Sequence, residues 1–122
     1  MGININNVKA LFELFSGETA DSEWAPVISM AINEVANMLL PDADDTDPRL
    51  EFLAASVANY RTQEIKLSSG RSEYEYVGQM NSGGARTALT GAAALMREYV
   101  QMCGDLINTS TFVFGTIPPK EE

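Results

Sequence analysis

An all-α fold is what this sequence predicts: a bundle of about four main helices with a small β element. Three observations predict it. Apolar residues recur at spacings of three and four in about four separate stretches, the period of helices that each bury one face. The clearest stretch, DPRLEFLAASVANYRTQEI from Asp47 to Ile65, opens with two helix-start signals in succession. Only two short pieces, 73–79 and 111–117, have the alternating or β-branched and aromatic character of strands.

Taken in order, Asn6 or Asn7 is expected to cap a first helix through Phe15, with Val8, Leu11, Phe12 and Phe15 along one side. Gly17 then supplies the left-handed residue that ends it. Asp21-Ser22 starts a second helix, with Pro26 near its first turn, where a missing N–H is tolerated. Its apolar stripe is Trp24, Ile28, Ala31, Val35 and Met38, with Asn33, Glu34 and Asn37 facing away. The helix should stop near Leu40, because Pro41 disfavours helical geometry in the residue before it. PDADDT, Pro41 to Thr46, is an acidic connector between two antiparallel helices.

In the third helix Asp47 caps the first turn and suits the positive end of the helix dipole, and Pro48 fits the first helical position. Leu50, Leu53, Ala54, Val57 and Tyr60 form its stripe, while Glu51, Ser56, Asn59 and Gln63 fall on the polar side. It fades after Ile65 or Leu67. Residues 68–84 read as an extended arm or loop, long for an internal connection, with Asn81-Ser82-Gly83-Gly84 turn-prone. The fourth helix is expected from about Ala85 to Ile107. One stripe is Leu89, Ala93, Met96, Val100, Cys103 and Ile107; the neighbouring one includes Ala88, Ala92, Leu95, Tyr99, Met102 and Leu106. Its alanines and Gly91 would permit close helix approach. TFVFGTI suits a short strand before Pro118-Pro119, and 118–122 reads as a disordered tail.

With 122 residues, 45% of them hydrophobic, the chain is expected to form a single domain over 1–122 with its own core. Apolar runs far short of a membrane span, and no charged-then-apolar leader before the first helix, predict no membrane partner. Met1-Gly2 resembles an acylation start, but Asn6 stands where that signal needs Ser or Thr. The single cysteine, Cys103, excludes an internal disulfide and agrees with a reducing compartment. A net charge of −9, from 17 acidic and 8 scattered basic residues, argues against direct, sequence-specific nucleic-acid binding and leaves room for a basic protein partner.

No catalytic constellation can be nominated. Histidine is absent, which removes the commonest general base and transition-metal ligand. Cys103 on the apolar face of a helix reads as a small core residue rather than a nucleophile. Asp42, Asp44, Asp45 and Asp47 suggest calcium, but an EF-hand loop begun at Asp42 would need glycine at position 47 and glutamate at 53, where Asp47 and Leu53 stand. Ser82-Gly83-Gly84-Ala85 could offer N–H groups to an anion, but the phosphate-loop lysine is missing, and a hinge at a helix entry is the simpler account. Arg61 reads as a snorkelling stem or a pair with a carboxylate. No catalytic, cofactor or metal residue is therefore expected.

The candidate interaction surface is Tyr74, Tyr76, Val77, Phe112 and Phe114. These two extended pieces either pair with each other over the helices or dock on a neighbouring subunit through strand edges and aromatic anchors.

The order of elements carries a resemblance. A helix ending in an acidic, proline-flanked connector leads into DPRLEFLAASVANYR; a Tyr-containing extended segment, an alanine-rich helix and the aromatic tail TFVFGTI follow. Over about residues 20 to 117 this layout is similar to that of the head–tail connector, or head-completion, proteins of tailed phages and prophages. The resemblance implies a non-enzymatic structural protein that self-associates as a ring at the portal, contacts portal or tail proteins, needs no cofactor, and resides in the bacterial cytoplasm during assembly and then in the virion. The alternative is a small helical adaptor or regulatory domain that binds another protein in a groove between helices. An enzyme is the least supported class.

Overall fold

The computed structural model describes residues 2–69 and 79–108, with side chains described over 2–69 and 86–108. Four helices follow one another: α1 (Ile5–Ser16), α2 (Ala25–Met38), α3 (Pro48–Ser68) and α4 (Gln79–Met102). The all-α bundle expected from the periodicity is the observed fold.

α1 begins earlier than expected. Asn4, not Asn6 or Asn7, is the cap: its Oδ1 accepts from the Asn6 and Asn7 N–H groups at 2.9 and 3.2 Å. Gly17 ends the helix at φ 76°, as its place in the sequence predicts. The α1–α2 link is pinned by Glu13, which accepts from the Ala20 N–H at 2.8 Å, and by Glu18. Glu18 takes the Trp24 indole N–H at 3.3 Å and Lys66 Nζ at 2.7 Å. α2 starts at Ala25 rather than Asp21-Ser22, because residues 20–24 are used in turns that bury Ala20 and Trp24. Its expected stripe, Ile28, Ala31, Val35 and Met38, is buried. Glu34 does not face away: it reaches Arg61 on α3 at 2.8 Å.

α3 is the inner element. Asp47 accepts from the Arg49 N–H at 2.9 Å and Pro48 opens the first turn, both as the sequence predicts. A helix with one buried stripe would leave its other faces wet, yet every residue from Leu53 to Tyr60 is buried. That is possible only because α1, α2 and α4 all pack on α3. Small residues at 54, 55, 56 and 58 let them approach, and the placement of Ser56 and Asn59 on a polar face is overturned. Burial obliges these polar groups to find partners. Ser56 Oγ donates to the Leu53 carbonyl at 2.8 Å and Asn59 Oδ1 accepts from Gln63 at 3.1 Å. Thr62, fully buried, has no hydrogen-bond partner for its hydroxyl among the described residues.

α4 differs most from expectation. It begins at Gln79, so Asn81-Ser82-Gly83-Gly84 lie inside a helix rather than in a loop or at its entry. The rest of the expected 73–79 strand, the 111–117 strand and the 118–122 tail lie outside the described residues. α4 ends at Met102 rather than Ile107. Gly104 bonds back to Gln101 at 3.2 Å in a tight turn, and Arg49 Nη1 takes the Met102 carbonyl at 2.7 Å, which completes the helix end. Ile107 instead forms an isolated antiparallel bridge with Leu39. Leu40 N–H donates to the Leu106 carbonyl at 2.9 Å and Asn108 N–H to the Met38 carbonyl at 2.8 Å. The ladder cannot grow, because helical residues precede it on one strand and Pro41, without an N–H, follows it. Among the described residues no helix is long and apolar enough to cross a membrane.

Met96, Val100, Cys103 and Ile107 are buried as predicted, joined by Ala92 and Leu106. Ala88 and Met102 are exposed instead. Gly91 does not serve close packing: it is exposed, and a Cβ there would meet nothing within 4 Å. Gly91→Ala is therefore expected to stabilise the protein by about 0.5–1 kcal/mol, by restricting the unfolded chain and favouring the helix. Urea denaturation measures it; destabilisation would mean that the site is crowded.

Candidate interaction surfaces

Side chains that could support chemistry are largely engaged elsewhere. Cys103 is fully buried, its Sγ lies 3.5 Å from the Arg49 carbonyl, and burial pushes its thiol up to about 11. That is the state of an inert core cysteine. In the acidic connector, Asp44 accepts from the N–H and hydroxyl of Thr46, at 3.0 and 2.6 Å, and Asp47 is committed to the start of α3. Among the described residues no three His, Cys, Asp or Glu side chains converge as a metal set. Gly83 and Gly84 lie inside α4, where helical N–H groups are turned to carbonyls one turn earlier, so the anion cradle at a helix entry is not formed there. Arg61 pairs with Glu34 at 2.8 Å and Glu64 at 3.1 Å, the carboxylate pairing the sequence suggests.

A charge cluster closes the end of the bundle where α3 starts and α4 stops. Arg49 donates to Asp47 at 3.0 and 3.1 Å, and to Asp105 at 3.0 and 3.1 Å. The Arg49 guanidinium holds the carboxyls of Asp47 and Asp105 below their ordinary range. A carboxyl depressed in the folded state stays ionised there after the unfolded chain has begun to take up protons, so its contribution is present above the unfolded pKa of about 3.9 and is lost as pH falls through the lower folded value. Asp105→Asn should melt below the parent at pH ~6, and the two melting curves should converge as pH approaches ~2. A gap independent of pH would show that Asp105 acts by packing alone.

The five expected interface residues, Tyr74, Tyr76, Val77, Phe112 and Phe114, lie outside the described residues. What the structure does bring together is an aromatic cluster that the sequence reading missed. Tyr99 of α4 stacks on Phe15 of α1, with centroids 6.0 Å apart, and meets Phe52 of α3 at 5.6 Å. Phe52 is 37% exposed and Met102, three residues after Tyr99, is 48% exposed. The available signal was Phe52 itself, a large ring off the stripe of Leu50, Leu53 and Val57. An open groove of about 500 Å³ lies at the far end of α3, lined by Glu64, Ile65, Leu67, Ser68 and Leu89.

The described parts of the chain also show where the 70–78 segment and the tail after Asn108 join the body. Ser69 ends α3 beside that groove, whereas Asn108 leaves the body beside Met38, at the end where α3 begins. The two attachment points are separated by most of the length of α3, about 30 Å at the rise of an α-helix.

Comparison of the chain with protein-family models, with curated proteins and with solved structures found no match.

Proposed function

We propose that the chain is a non-enzymatic structural protein of the phage or prophage head–tail connector type, whose copies assemble as a ring at the portal. It would work in the bacterial cytoplasm during assembly and then in the virion. The observation that carries this reading is that Ser69, before the 70–78 segment, and Asn108, before the 109–122 tail, lie at opposite ends of the helical body. Pairing 73–79 with 111–117 inside one chain would require the two segments to bridge about 30 Å between them along α3. Pairing between neighbours needs no such bridge. A contact made by one end of one copy and the opposite end of the next is heterologous, and such contacts close into rings when the rotation allows. The resemblance of the order of elements in the sequence to that of connector proteins supports the same reading.

The test is a Tyr74→Ser, Tyr76→Ser double variant beside a Phe112→Ser, Phe114→Ser one. Light scattering at high concentration, or with portal present, reads assembly, and circular dichroism reads the fold. Each variant is expected to lose assembly while keeping its helical signal and melting temperature. Unfolding of the tyrosine variant would make those rings ordinary core. A parent that stays monomeric or dimeric under every condition, portal included, would favour an adaptor instead.

A further inference from the structure

We propose that the face formed by Phe15, Phe52, Tyr99 and Met102 is a docking surface for a basic, amphipathic segment of another protein. This is independent of the ring reading, whose contacts lie in other segments. The argument starts from the rings. Tyr99 packs against both Phe15 and Phe52, so the aromatic anchors are already in place and lose little freedom on binding. Met102 lies on the same side of α4 as Tyr99, three residues on, and is half exposed. A thioether there can adapt to an incoming apolar side chain.

The charges beside this face select the partner. Glu98 precedes Met102 by one helical turn, and Glu51, next to Phe52, accepts from the neutral Asn7 amide at 3.1 Å, so carboxylates adjoin the apolar patch. The neighbouring cations are engaged. Arg49 is held by Asp47 and Asp105, and Lys9 by Asp21. Arg97 acts on Tyr60, about two turns further along α3. Arg49 is shared by two carboxylates, so that cluster keeps a net negative charge. An apolar centre with a net acidic rim matches a segment with apolar residues on one side and Lys or Arg at its edges. A second copy of this chain fits poorly, since each copy carries −9 and would bring the same acidic rim.

The test is nuclear magnetic resonance on the full-length chain, titrated with a synthetic leucine–lysine amphipathic helical peptide and, separately, with its leucine–glutamate counterpart. Only the leucine–lysine peptide is expected to shift resonances, centred on Phe15, Phe52, Tyr99 and Met102. Met102→Ser should weaken it about ten-fold. Glu98→Lys should weaken it about five-fold and flatten the loss of affinity with added salt. Both positions are exposed, so unchanged melting of the variants separates lost docking from lost fold. Equal binding of the two peptides, no binding, shifts centred elsewhere, or unchanged affinity in both variants would overturn the proposal. So would concentration-dependent shifts at these residues without peptide, which would identify a second copy as the occupant.

Discussion

Phe12→Ala is expected to destabilise the protein by about 3–5 kcal/mol, the range for deleting a buried ring whose surroundings relax only in part. Phe12 is fully buried and, with Val8, ties α1 into the common core. Losing the ring opens a cavity between α1 and α3, so the whole bundle is weakened rather than one terminal helix. Leu14 supplies the control. It is on the same helix and apolar, but 75% exposed, so Leu14→Ala should change stability by no more than about 0.5 kcal/mol. Guanidinium denaturation of the two variants checks the pair. Equal midpoint shifts would mean that α1 presents a different face to α3.

The second large effect is on α3. Val57→Ala should cost about 1–3 kcal/mol, because Val57 is fully buried among residues that cannot collapse into the space. Asn59→Ala is expected to cost a similar amount, about 1–3 kcal/mol, since it empties buried volume and strips Gln63 of its acceptor. A one-sided helix would instead have left Asn59→Ala nearly silent, within about 0.5 kcal/mol. Thermal melts of the two variants distinguish these outcomes, and a silent Asn59→Ala would contradict the burial of that face.

The contrast shows how far local signals reach. Asp47, Pro48 and Gly17 act through their own backbone and the next turn, so their effects were legible residue by residue. The stripes of α2 and of the second half of α4 were legible for the same reason, since a helix period needs only neighbours in sequence. How many partners surround a helix is not a local property. Ser56 and Asn59 look polar by type, and only the joint packing of α1, α2 and α4 on α3 buries them. Alanine and serine at 54, 55, 56 and 58 were the available sign of crowding on every side.

Gly83-Gly84 misled in the opposite direction. Glycine pairs usually mark turns, yet here they are part of α4, where tertiary context overrides propensity. The aromatic cluster was hidden because Phe15 was assigned to the core and Phe52 to no face at all. Tyr99 joins them only once α1, α3 and α4 are in place.

The enclosure of α3 also sets the clock for its amide hydrogens. A peripheral helix can fray or detach and exchange with solvent while the rest of the protein stays folded. No such partial opening can reach the N–H groups of Leu53 to Tyr60, because α1, α2 and α4 must all come away first. Their exchange is then governed by the free energy of global unfolding, and they should speed up together, by one common slope, as denaturant is added.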